Sequence, residues 1–83
     1  MSRDRFTDRI LSGRADRNIR FEELCGLMRS LGFDERIRGS HHIYTRNDAE
    51  EIVNLQPATA GMAKPYQVRQ VRSVLVKYKL AEL

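Results

Sequence analysis

The spacing of apolar residues changes period twice along this chain, and that change limits the fold more than any other feature. Over residues 21–31, Phe21, Leu24, Cys25, Met28 and Leu31 recur at the i, i+3, i+4 spacing of one helix face. Glu22 and Glu23 suit the positive end of such a helix, and Gly32 suits the C′ position just past it. From Phe33 the period is two, with Phe33, Glu35 and Ile37 alternating with Asp34, Arg36 and Arg38. Gly39-Ser40 fits a two-residue type II′ hairpin turn and residues 41–46 a return strand. Asn47-Asp48 reads as a second turn, and residues 51–56 as a third strand with Val53 and Leu55 on one face. Residues 57–64, containing Pro57 and Gly61, read as a crossover loop. Pro65 then opens a last helix whose buried stripe is Val68, Val71, Leu75 and Tyr78.

Three antiparallel strands must cover one face, and two helices with one apolar stripe each can cover it. The expected fold is therefore α+β, an α-β-β-β-α two-layer sandwich with its other sheet face open to solvent. Ahead of it, residues 2–11 read as a short extra helix with Phe6, Ile10 and Leu11 on one side, Ser2 as N-cap and Gly13 as the stop. Residues 15–20 read as a connector. This divides the chain into an N-terminal helical extension, 1–20, and a main domain, 21–83.

A chain of 83 residues supports one core that buries roughly 60–65% of the unfolded surface, which argues against a deep substrate cavity. No apolar run approaches the ~18 residues of a membrane span and the first residues lack a signal-peptide core, so a cytoplasmic location is expected. One cysteine excludes an internal disulfide, and Cys25 reads as a small core residue. The net charge of +4 is unevenly placed. Residues 1–63 hold ten arginines and ten acids, whereas residues 64–83 carry Lys64, Arg69, Arg72, Lys77 and Lys79 against Glu82 alone. The closing helix is thus the expected polyanion-facing element; a merely solvated charged face is the plainer reading.

The hairpin decides where the two histidines point. With Gly39-Ser40 as the turn, Arg38 opposes His41, Ile37 opposes His42 and Arg36 opposes Ile43, and opposed residues share a sheet face. Phe33 and Ile37 seek the core, so His42 and Tyr44 are expected on the covered side, with Arg36, Arg38 and His41 together on the open side. The same register puts Glu35 on the covered face, where it needs the rim or a partner. Adjacent strand residues point opposite ways, so His41 and His42 cannot share a metal ion, and no cysteine or histidine elsewhere completes a ligand set. No metal site is expected. His42 reads as a partly buried, hydrogen-bonded ring.

RNA cleavage without a metal needs a group to take the 2′-hydroxyl proton, a group to protonate the leaving 5′-oxygen, and positive charge on the pentacoordinate phosphorus. An exposed His41 between Arg36 and Arg38 supplies one proton carrier and the charge. Tyr44, the obvious second donor, falls on the wrong face, so a modest rate is expected. As the plainer alternative, His41 is an exposed residue at a strand start.

Gly39-Ser40-His41 followed by Tyr44, between a leading amphipathic helix and a basic closing helix, resembles the HicA (YcfA-like) toxins of toxin–antitoxin modules. Leu31-Gly32-Phe33 resembles the end of the family's first helix, and residues 64–75 the start of its last. The resemblance implies a double-stranded-RNA-binding-domain-like fold and a metal-independent endoribonuclease, an mRNA interferase. It also implies that His41, directly after Gly-Ser, is the catalytic residue, since His42 falls at a variable position. An HicB-type antitoxin is the implied partner and messenger RNA the implied substrate, with no cofactor. Arg36, Arg38, Gly39, Ser40, Lys64, Arg69 and Arg72 form the expected RNA-binding set. Residues 1–20 and the polar loop after Gln56 depart from the minimal toxins. A non-catalytic RNA-binding module of the same fold is the alternative, and a dimerising role for residues 2–11 a third reading.

Overall fold

Phe21–Ser30 forms a helix, α2, that buries Phe21, Leu24, Cys25, Leu27 and Met28 in a computed structural model describing residues 5–80. It ends as its sequence requires. Gly32 takes a φ of +85°, and the Phe33 amide bonds back to the Met28 carbonyl, which satisfies the last turn and reverses the chain into the sheet. Leu31, expected in the buried stripe, is past the helix end and only partly covered, and Leu27 takes the extra core position.

The sheet is antiparallel in the order β1 (Asp34–Arg38), β2 (His41–Arg46), β3 (Ala49–Leu55). Gly39 has a φ of +58° and Ser40 stays out of the left-handed region, as a type II′ turn demands. Arg38 pairs with His41, Ile37 with His42 and Arg36 with Ile43, which is the register expected from the turn. Asn47-Asp48 makes the second turn, β3 starts at Ala49, two residues earlier than expected, and a bulge interrupts the β2–β3 pairing between Tyr44 and Arg46.

A short 3-10 turn at Thr59–Gly61 leads into α3 (Pro65–Lys77), which has proline in its first turn and buries Val68, Val71, Val74 and Leu75. Tyr44, Val53 and Leu55 are fully buried on the sheet face that α2 and α3 cover, whereas Ile52 on the other face is 61% exposed. The layout is the expected α-β-β-β-α with one added helix.

That helix, α1 (Arg5–Ser12), is part of the same core: Ile10 is fully buried, and Phe6 and Leu11 pack against the cluster. Gly13, at φ +73°, ends it. The connector that follows makes a 3-10 turn at Asp16–Asn18, buries Ile19 completely, and pairs with the crossover loop through Arg20 and Met62. The proposed N-cap, Ser2, lies outside the described residues.

Arg72 of α3 holds this segment in place. Its guanidinium donates to the Ile10 carbonyl at 3.0 Å and to both Asp16 oxygens at 2.9 and 3.1 Å. The charge that the sequence assigns to RNA is therefore spent inside the fold, on an open carbonyl at a helix end and on a carboxylate.

Three carboxylates titrate low because the folded chain gives them donors. Hydrogen bonds from Arg72 lower Asp16, those from Tyr44 and Arg29 lower Glu35, and those from Lys77 and Tyr78 hold Glu51 at about 2. Carboxylates lowered on folding contribute stability that is complete above their unfolded values, near pH ~4–4.5, and lost as pH falls through the folded ones. Urea melts are expected to give constant stability from these groups above about pH 5 and a progressive loss toward pH ~2. Glu51→Gln is expected to flatten that acid limb, and a limb unchanged in the variant would remove Glu51 from the account.

Candidate active site and nucleic-acid face

His41 starts β2 on the open face, exposed, with its Nδ1 3.2 Å from the Asn54 side-chain oxygen. Asn54 opposes Ile43 on β3, next to the covered residues Val53 and Leu55, so alternation sends it to the same side as His41. The amide oxygen can only accept, so this contact favours a proton on Nδ1, and in the neutral ring the basic nitrogen is then Nε2. That is the tautomer a general base needs.

The end of β3 is fixed by Gln67, from the first turns of α3. Gln67 is 4% exposed; its side chain accepts from the Gln56 backbone N–H at 3.2 Å and donates to the Asn54 carbonyl at 3.3 Å. These bonds satisfy strand groups that have no further strand to pair with. They also set the positions of Asn54 and Gln56. The Gln56 side chain then donates to Ser40 Oγ at 2.9 Å and accepts from Lys64 Nζ at 3.4 Å. A chain of polar contacts thus runs from the hairpin turn to the start of α3, and Lys64, 23 residues beyond His41 in sequence, stands at the same end of the sheet.

Arg36 and Arg38 line a shallow trough on the open face with Ile43, Thr45 and Ile52, and Asp34 and Glu35 complete its lining. Neither arginine has a carboxylate within ion-pair distance among the described residues. The structure brings together Arg36, Arg38, Gly39, Ser40, His41 and Lys64. Arg69 instead lies along α3, exposed and beside the connector, and Arg72 is committed to Asp16.

Tyr44 is fully buried, as its strand position predicts, and its hydroxyl donates to Glu35 at 2.5 Å. Burial, together with that carboxylate, pushes its pKa far up, which removes it as a proton donor to anything on the open face. The partner that Glu35 needs is therefore Tyr44, joined by Arg29 at 2.7 Å. His42 is on the covered side and sets its ring edge-on against Phe21 at 4.9 Å. It is not hydrogen-bonded at Nδ1, contrary to expectation: the Glu35 carboxylate is 3.8 Å away and already holds Tyr44 and Arg29. Cys25 is buried, and burial raises its thiol pKa, in keeping with a core role. Among the described residues no three His, Cys, Asp or Glu side chains could hold a metal ion, and no helix is long and apolar enough to cross a membrane.

Asn54, Gln56, Gln67 and the 55% exposed Tyr66, whose hydroxyl accepts from the Gln67 amide at 3.4 Å, were not legible at this end of the sheet in the sequence. Alternation along β3 could have found Asn54. Nothing local distinguishes Gln67, whose role depends on where a strand 12 residues earlier ends.

A search of curated proteins returned no match, and neither did a search of solved structures. A protein-family model, described as the HicA toxin of bacterial toxin–antitoxin, does match, over residues 21–82, leaving α1 and the connector outside. That match runs from the first residue of α2 through the Gly39-Ser40-His41 hairpin to beyond α3, three quarters of the 83-residue chain, and the protein therefore belongs to the HicA toxin family of bacterial toxin–antitoxin systems.

Proposed function

We propose that this toxin is a metal-independent endoribonuclease that cleaves messenger RNA with His41 as its proton carrier. The observation that carries the reading is the His41–Asn54 contact, which favours Nε2 as the basic nitrogen of the neutral ring, on the face of Arg36 and Arg38 and with Lys64 at the same end of the sheet. Nε2 takes the 2′-hydroxyl proton, the 2′-oxygen bonds to phosphorus, the bond from phosphorus to the 5′-oxygen breaks, and the leaving oxygen takes a proton from water. Arg36, Arg38 and Lys64 stabilise the extra negative charge on the phosphoryl oxygens as it develops. Gly39 and Ser40 shape the turn against which the phosphate lies, and the exposed Tyr66 ring offers a stacking surface for an unpaired base. A double-stranded-RNA-binding-domain-like layout, cytoplasmic action and neutralisation by an HicB-type antitoxin belong to the same reading.

Cleavage is expected to persist in EDTA and to leave a 2′,3′-cyclic phosphate and a free 5′-hydroxyl. Mass spectrometry of the products of a defined RNA checks this. Products with a 5′-phosphate, or activity only with added divalent ion, would assign a different mechanism; binding without cleavage would leave the non-catalytic RNA-binding module.

A further inference from the structure

The N-terminal segment, outside the family match, carries charge that the fold arranges. Arg14 and Arg17 of the connector and Arg69 of α3 line one recess of about 370 Å³, together with Gly13, Asp16 and Pro65. Asp16 is the acidic residue of that lining, and its charge is taken by the bidentate bond from Arg72. Arg14, Arg17 and Arg69 have no carboxylate within ion-pair distance among the described residues. Three guanidinium groups outside any ion pair therefore share one concave surface, with Arg69 also within the field of Asp16.

The recess is pre-organised. The Arg72 clamp and the burial of Ile10 and Ile19 hold the connector against α3, and at Gly13 an added Cβ would stand 3.4 Å from the Arg72 guanidinium. It is also contiguous with the candidate site. Pro65 lines it, and the preceding residue, Lys64, reaches Gln56 beside Ser40.

We propose that Arg14, Arg17 and Arg69 form a second phosphate-binding patch, which carries the RNA backbone from His41 past Lys64 onto the N-terminal segment. This rests on the ribonuclease reading and adds a substrate subsite to it. Guanidinium forks suit successive phosphates, and a concave cationic surface concentrates the field that attracts them.

Affinity for a labelled single-stranded RNA, measured against salt in the non-cleaving His41→Ala protein, tests the patch. Each phosphate contact contributes about 0.7 to the slope of log affinity on log salt for a single strand. Adding Arg14→Gln and Arg17→Gln is expected to flatten the slope by about 1.4, and Arg69→Gln by about 0.7 more. Arg5→Gln with Lys79→Gln, at the far ends of α1 and α3 from the recess, is expected to leave it unchanged, and none of these exposed substitutions should move the thermal melt. RNA binding with an unchanged slope in the recess variants overturns the patch and leaves the ribonuclease reading standing. The patch is equally overturned if those variants keep the slope and lose affinity only for the antitoxin. Absence of any RNA binding by the His41→Ala parent, with wild type leaving RNA uncut, overturns the functional reading and the patch with it.

Discussion

His41→Ala is expected to reduce RNA cleavage by about 10²–10⁴-fold, to background in a slow enzyme, and to abolish growth arrest on induction. The size follows from the open face: His41 is the histidine there, and Tyr44, the nearest phenol along the same strand, is turned into the core and held by Glu35. The other imidazole, His42, is on the covered face and cannot take over the proton. Stability should change by no more than about 0.5 kcal/mol, because the ring is exposed and its hydrogen bond is to one side chain at 3.2 Å. Asn54→Ala is expected to give a smaller loss of rate at unchanged melting temperature, since it frees the ring to adopt the other tautomer without removing it. Cleavage assays, induction assays and thermal melts on the same variants separate these effects. A His41→Ala protein that still cuts RNA at the wild-type rate would end the catalytic assignment.

The largest effect on stability is expected at Arg72. Truncation to alanine leaves the Asp16 carboxylate and the Ile10 carbonyl without their donor, in a site where the arginine and aspartate side chains are 23% and 14% exposed. Unpartnered groups of this kind cost about 2–3 kcal/mol, nearer the lower end of buried ion pairs because water reaches part of the site. For a domain of this length the melting temperature should fall by about 10–15 °C. Arg72→Lys should recover little, since an ammonium cannot serve both carboxylate oxygens and the carbonyl in the same fork. Arg69→Ala, exposed on the same helix, should melt like wild type. An Arg72→Ala protein with normal stability and a flattened salt dependence of RNA binding would return Arg72 to the RNA-binding role its position in the sequence suggests.

Local chemistry determined much of this protein before any tertiary contact was known. The change of period at Gly32 and again at Pro65 separates helices from strands, because a helix face repeats every 3.6 residues and a strand face every two. Gly39-Ser40 fixes the hairpin register, and the register together with the burial of Phe33 sends His41 to the open face and Tyr44 to the covered one, although Ile37, expected in the core, stays 55% exposed. These are properties of a few adjacent residues. What the sequence could not reveal is which groups meet across long stretches of chain. Arg72 is as basic in the sequence as Arg69, yet a carboxylate 56 residues away claims it, while Arg69 keeps its charge for solvent. Asn54 and Gln56 become site residues because Gln67 closes the end of β3 and Lys64 arrives beside it. Residues 2–11 read in the sequence as an extra helix and 15–20 as a connector, both outside the main domain; in the fold Ile10 and Ile19 find fully buried places in the common core. Hydrogen bonds and ion pairs between distant segments act over a few ångströms and carry no periodic trace along the chain, so only the folded structure decides them.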